Sequence, residues 1–176
     1  LRGVLINPTR TGFLKILRRM GGRIRIFNRR RLCGELVGDI EVKPSRLRAV
    51  SIRGKIVPTL IDEAPILAVA AAHAVGVSRF SGMEELRVKE SDRIRTLVRE
   101  LPKFGVRIRE RRDGFVVRGG VPLHAAIGMS HGDHRIAMAA YVAGLAARGR
   151  RTTIAGAECV EISFPGFDGV MRAAGR

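Results

Sequence analysis

The stretch Glu84-Glu85-Leu86-Arg87-Val88-Lys89-Glu90-Ser91-Asp92-Arg93 crowds carboxylates and cations into ten consecutive positions of a chain otherwise short of acids. A charge run of this kind is ordinarily the solvated face of a helix. Its position argues for more. It follows an apolar, strand-like stretch (77–83) and precedes a helix with apolar periodicity (94–104). A strand-to-helix turn is where α/β units gather polar groups around a ligand. Ser91 or Asp92 can cap the helix, whose first amides attract anions. Lys89 and Arg93, four apart, can face such an anion together, with Glu90 beside them for proton transfer. The chemistry indicated is work on a phosphorylated or carboxylated substrate.

Two other helix starts carry the same mixture. Ile61-Asp62-Glu63-Ala64-Pro65 precedes an apolar helix (66–76), where proline suits the first turn. Asp62 is either its N-cap or a carboxylate presented at the helix start; Glu63 reads as capping or solvated. Gly132-Asp133-His134-Arg135 opens a third helix (133–147), with Asp133 as cap and His134 and Arg135 in the first turn. His131, Asp133 and His134 would offer three metal ligands, but no fourth is in view, and no metal is expected. His73 and His124 lie in apolar company and read as structural.

The elements that must position these loops repeat. Thr9 or Thr11 can cap a helix running to Met20, with Leu14, Leu17 and Met20 as its buried stripe. Gly21-Gly22 stops it, and Ile24 and Ile26 alternate in a following strand (23–27). A basic turn, 28–31, leads to further strand candidates at 39–42 and 47–52. Leu97, Leu101 and Phe104 then form a second stripe, and Gly105 ends that helix before Val106 and Ile108. "Met-Gly-Gly-Arg-Ile-Arg" around Gly21 is answered by "Phe-Gly-Val-Arg-Ile-Arg" around Gly105. Pro102 predicts a kink or an early finish, and Asp113-Gly114 a hairpin. A strand at 152–155, then Ser163-Phe164-Pro165 and a helix at 167–174 stopped by Gly175, begin a third unit. Three helix–glycine–strand units, approximately 1–53, 54–120 and 121–176, predict an α/β domain with internal pseudo-symmetry that brings the three charged loops to one face.

Composition excludes several classes. The apolar fraction of 45% is that of a globular protein, and no apolar run approaches the ~18 residues of a membrane span. Cys33 and Cys159 are far apart without metal-ligand spacing, so reduced thiols and a cytoplasmic setting are expected. The formal charge of +17 admits nucleic-acid binding. Against it, the arginines are dispersed along the chain, and one Tyr and no Trp supply no stacking platform.

Taken together, Leu86-Arg87-Val88-Lys89-Glu90-Ser91-Asp92-Arg93-Ile94, Asp133-His134-Arg135-Ile136-Ala137-Met138 and Ser163-Phe164-Pro165 resemble the signature stretches of the 5-enolpyruvylshikimate-3-phosphate (EPSP) synthases. Val57-Pro58-Thr59-Leu60-Ile61-Asp62-Glu63 and Asn7-Pro8-Thr9-Arg10-Thr11-Gly12 resemble that family too, in matching order across nearly the whole chain. The resemblance implies the enolpyruvyl transferase fold: two similar domains, each an inside-out α/β barrel of repeated βαβαββ units with helices inside. This chain would be most of the C-terminal domain, truncated at both ends, with the N-terminal domain absent and activity of the piece alone not expected. The implied reaction moves the enolpyruvyl group of phosphoenolpyruvate to the 5-hydroxyl of shikimate 3-phosphate, without metal or cofactor, in a cytoplasmic protein that is a monomer at full length. By the same resemblance, Asp62 would hold or deprotonate the hydroxyl, and Glu90 would handle the methylene proton with Lys89 as second candidate. Arg93, Arg135, Lys89 and His134 would bind phosphoenolpyruvate. Two positions depart from the family pattern: Ile162 stands where some members carry lysine, and Glu85 where some carry asparagine. The rival readings are the related UDP-N-acetylglucosamine enolpyruvyl transferase and a basic nucleic-acid-binding module.

Overall fold

The computed structural model describes residues 1–147, 149 and 151–174. In chain order the elements are β1 (Val4–Leu5), α1 (Gly12–Arg19), β2 (Arg23–Leu32), β3 (Glu35–Lys43), β4 (Ser51–Ile52), α2 (Ala64–His73), β5 (Val77–Phe80), α3 (Arg93–Glu100), β6 (Arg107–Arg111), β7 (Gly114–Arg118), β8 (Ile127–Met129), α4 (His134–Leu145), β9 (Thr153–Ala155), α5 (Val160–Ser163) and α6 (Phe167–Ala174). The stop expected for α6, Gly175, lies outside the described residues.

The repeat is visible in the strand pairing. β1, β3 and β2 lie in that order, all antiparallel; β5, β7 and β6 lie in the same order and sense. In both, a strand and a helix lead into a hairpin whose second strand returns to the middle. β4 pairs parallel with β5 across α2, and β8 pairs parallel with β9 across α4. Gly21 and Gly105, matched in sequence, both stand at positive φ, 96° and 88°, the left-handed turn that ends a helix and that a Cβ disfavours. Pro102 acts as expected: α3 stops at Glu100 and the chain tightens into a 3-10 turn over Leu101–Phe104.

Two local expectations change. The basic segment 28–31 is not a turn. β2 runs on to Leu32 through a bulge, with the register shifting between Phe27 and Arg30. Asn28 takes the strained position there, at φ 49°, and donates from its side chain to Asp39 at 2.8 Å. The reversal falls instead on Cys33-Gly34, a two-residue hairpin with both residues at positive φ. In α1, neither threonine caps the helix with its side chain; Thr11 occupies the cap position without that bond. Ile16 and Met20 are fully buried, and Leu17 only partly.

Helices form the interior. α2 is apolar all round, which a helix tolerates only when surrounded; Ala64, Leu67, Ala68, Val69, Ala71 and Ala72 are buried. It packs on the Ile136, Ala139, Ala140 and Ala143 side of α4. The sheets lie outside, so that Arg107, Arg109 and Arg111 of β6 face solvent. This is the inside-out arrangement that the resemblance implied. His73 and His124, which read as structural in apolar company, are exposed.

The seam between α2 and β7 admits no side chain at one position. Gly119 donates to Gly76 O at 3.0 Å and Gly120 to Ala72 O at 3.0 Å. A Cβ on Gly119 would meet the carbonyl oxygens of Ala74 and Ala71 at 2.1 and 2.2 Å. Neither carbonyl can move without unwinding the end of α2. Gly119→Ala is therefore expected to cost about 1–3 kcal/mol, read as a lowered urea midpoint at unchanged slope.

Candidate functional site

Three loops meet over the buried ends of α3 and α4. Asp62 comes from a 3-10 turn, Ile61–Glu63, anchored by the buried Leu60 and Ile61. It caps no helix: Glu63 occupies the cap position of α2 and makes no side-chain cap bond. The Asp62 carboxylate is thereby free, 20% exposed. Arg93 Nη1 and Arg10 Nη2 each reach it at 3.3 Å, Lys89 Nζ at 3.8 Å and Arg135 Nη2 at 3.9 Å. Arg135 also donates to the Asp62 carbonyl at 3.1 Å.

Arg93, the first residue of α3, is 1% exposed. It therefore does not stand open beside Lys89 as the spacing suggested. Its fork is filled by carboxylates: Nε to Asp133 at 2.8 Å and Nη2 to the other Asp133 oxygen at 3.3 Å, a bidentate pair. Nη2 also meets Glu90 at 2.5 Å. Asp133 is 0% exposed. It caps α4 by accepting from the amides of Arg135 and Ile136 and takes a further bond from Ser91 Oγ at 3.0 Å. Of the two residues able to cap α3, Asp92 does so, accepting from the Arg95 amide. Glu90 is 47% exposed and lies 3.8 Å from His134 Nδ1. Lys89 also contacts Glu85.

Burial alone would raise the pKa of Asp133, but the Arg93 fork, the Arg135 amide and Ser91 outweigh it and hold the carboxyl below its ordinary 3.8. At Asp62 burial likewise raises, and Arg135, Lys89 and Arg10 prevail, so it too stays ionised below the ordinary range. A further carboxylate, the buried Glu100, ties α3 to the loop before α4. It accepts from Lys103 at 2.7 Å and the Met129 amide at 2.9 Å, and lies 2.9 Å from His131 Nε2. Burial opposes ionisation there as well, and His131, Lys103 and the amide overcome it. All three are depressed, so each contributes stability that is present above its ordinary pKa and lost as pH falls through the folded value. Glu63, raised above 4.5 chiefly by burial, has the opposite sign: its contribution is present below 4.5 and fades as pH rises. The net expectation is a urea midpoint that falls steeply below pH ~4 as the three depressed carboxylates take up protons, with Glu63 acting in the opposite sense above its ordinary value. Titrating the midpoint against pH checks it.

His131, Asp133 and His134 turn to three different partners, Glu100, Arg93 and Glu90. Among the described residues no three His, Cys, Asp or Glu side chains form a metal-ligand group.

Asp62, Lys89, Glu90, Arg93, His134 and Arg135 are thus brought together. Sequence reasoning missed three participants. Arg10 arrives from the Asn7-Pro8-Thr9 turn, 52 residues from Asp62. Glu63 is 18% exposed, neither a cap nor solvated, and lies 3.6 Å from both Arg10 and Arg135. Asp133 is the counter-ion of Arg93 as well as a cap. All three lie in stretches that mark the loops, but nothing in those stretches marked their pairing.

Comparison with known proteins fits this geometry. The family model for EPSP synthase (3-phosphoshikimate 1-carboxyvinyltransferase) matches residues 1–171. The chain belongs to the EPSP synthase family. Its relatives include the 3-phosphoshikimate 1-carboxyvinyltransferase of Desulforamulus reducens, 51% identical over 172 residues, covering 98% of this chain and 40% of that protein. The one from Synechococcus sp. is 50% identical over 167 residues, covering 95% and 37%. The chain therefore spans about 40% of the length of the curated EPSP synthases it matches. Among solved structures, an EPSP synthase from Acinetobacter baumannii superposes with a TM-score of 0.94 at 40% identity, over 99% of this chain and 41% of that one. The enolpyruvyl transferase NikO from Streptomyces tendae shares the fold, with a TM-score of 0.62 at 21% identity over 91% of this chain and 34% of that one. Against the EPSP synthase pattern, Ile162 is exposed on α5, and Glu85 is engaged by Lys89. No helix among the described residues is long and apolar enough to cross a membrane.

Proposed function

We propose that this chain supplies one wall of the active site of an enzyme that joins phosphoenolpyruvate to shikimate 3-phosphate, releasing phosphate and 5-enolpyruvylshikimate 3-phosphate. The observation that carries this reading is that two carboxylates from different loops, Asp62 and Glu90, contact the same guanidinium, that of Arg93. The reaction needs such a pair. One group removes the proton of the attacking 5-hydroxyl while another protonates the methylene of the enolpyruvyl double bond, making C2 electrophilic. The 5-oxygen bonds to C2, and the tetrahedral adduct then gives up one proton of its new methyl group as the C2–O bond to phosphate breaks, restoring the double bond.

Asp62, held ionised, is the base for the hydroxyl. Glu90, half-exposed, serves the methylene, with Lys89 as alternative donor. Arg135, Lys89 and His134 take the phosphate and carboxylate of phosphoenolpyruvate, the arginine fork suiting both anions. Arg93 orients the carboxylate pair and reaches the donor only if Glu90 or Asp62 yields to the ligand. The acceptor contacts are assigned to a second, N-terminal domain, in a monomeric cytoplasmic protein. The test uses full-length protein, phosphoenolpyruvate and each acceptor in turn. Phosphate release with shikimate 3-phosphate and none with UDP-N-acetylglucosamine is expected, and no release from the 176-residue chain by itself. The reverse acceptor preference would overturn the reading.

A further inference from the structure

Glu63 has no part in the chemistry above, yet its surroundings are unlike those of its neighbours. Oε1 lies 3.6 Å from Arg10 Nη2 and 3.6 Å from Arg135 Nη1. Oε2 is buried and has no hydrogen-bond partner among the described residues. A buried carboxylate oxygen without a donor is costly, and a carboxyl so placed relieves the cost by taking up a proton. The charged groups around it come from three elements: Asp62 on its own turn, Arg10 ahead of α1, and Arg135 on α4. Lys89 and Arg93 reach Asp62 rather than Glu63.

The cluster sets four cations (Arg10, Lys89, Arg93, Arg135) against five carboxylates (Asp62, Glu63, Glu85, Glu90, Asp133), with His134 beside Glu90. A ligand carrying phosphate and carboxylate adds negative charge to a site whose four cations are already paired. One carboxylate must then give way, because like charges this close cannot all stay ionised. Asp133 is locked by the Arg93 fork and two amides. Asp62 faces four cations. Glu63 alone combines a buried, unpartnered oxygen with ion pairs longer than hydrogen bonds.

We propose that Glu63 is a yielding counter-ion: in the empty site it holds the Arg10 and Arg135 guanidiniums over Asp62, and when an anionic substrate arrives it takes one proton from solvent on Oε2 and releases both guanidiniums to the ligand. The only bond formed is that O–H; nothing else in Glu63 changes. Burial already pushes its carboxyl above the ordinary range despite Arg135 and Arg10, so little further bias is required. Glu63 is in this sense a positioning residue for Arg135, and the proposal rests on the enolpyruvyl-transfer reading in taking phosphoenolpyruvate as the ligand.

The experiment is calorimetric titration of phosphoenolpyruvate into full-length protein in buffers of differing ionisation enthalpy, across mildly acidic to neutral pH. Wild type is expected to take up a proton on binding, with Kd rising up to tenfold per pH unit where Glu63 is ionised empty and protonated filled. Glu63→Gln is expected to lose that uptake, and that part of the pH dependence. Titration of the ligand's own phosphate is common to both proteins and cancels in the comparison. Arg10→Gln, which removes one of the two cations holding Glu63 ionised, is expected to shift the uptake to higher pH and keeps the proposal testable should Glu63→Gln fold poorly. Equal uptake in wild type and Glu63→Gln, or no shift in Arg10→Gln, overturns this proposal alone. Failure of phosphoenolpyruvate to bind wild type overturns the enolpyruvyl reading together with it.

Discussion

Arg93→Ala is expected to lower the stability of the chain by about 3–5 kcal/mol, and its melting temperature by on the order of ten degrees. The loss comes from what is left behind. Asp133 is 0% exposed and keeps two helix amides and Ser91, but it would lose the one cation that answers its charge in the interior. A buried pair is a weak source of net stability when intact, yet removing one member strands the other. Arg93→Lys is expected to fall between, because an ammonium gives a point charge where the guanidinium spans both Asp133 oxygens and reaches Glu90. Combining Arg93→Ala with Asp133→Asn should recover part of the loss, a coupling that a double-mutant cycle measures. Melting of Arg93→Ala within one or two degrees of wild type would show that the fork is not the counter-charge argued for here.

Asp62→Asn in the full-length protein should act chiefly on rate. The side chain keeps its shape and is partly exposed, so the melt should fall, through loss of its ion pairs, by much less than in Arg93→Ala. The turnover rate is expected to fall about 10²–10⁴-fold, the usual worth of a positioned base. KM for phosphoenolpyruvate should stay level or drop, since Arg10, Lys89 and Arg135 would face one carboxylate fewer. Because Asp62 is held below its ordinary 3.8, the acid limb that it governs in the free enzyme lies below that value, and no loss of kcat/KM near pH 5–6 is to be assigned to it. Steady-state kinetics against pH, with a melting curve of each variant, separates these outcomes. A rate within a few-fold of wild type would remove Asp62 from the chemistry.

The repeat was legible because it is local. A glycine at positive φ after an apolar stripe, then an alternating strand, is written in consecutive residues at both Gly21 and Gly105, and the fold follows it. α2 was legible for the same reason, being apolar on every side. The site was legible at the level of loops, since each carries its own acid and base. Who partners whom was not. Arg93 and Asp133 are 40 residues apart, and Arg10 and Asp62 are 52; no periodicity links them, and only packing of the helices decides that Arg93 turns inward. Asp62 shows the limit from the other side, because an aspartate before a helix reads alike whether it caps or is presented free. At 28–31 a run of basic residues passed for a turn, whereas a bulge at Asn28 let the strand absorb it.

The contact of α2 with α4 is built largely from alanines, so the two backbones come close and a larger side chain placed between them would have to push them apart. Sequence drift in such a molecule is channelled outward. A saturation library would find the inner helices nearly immutable and the outer strand faces forgiving, which makes the exterior of β6 the place to attach a label, a tether or a solubilising charge without disturbing the carboxylates at the rim.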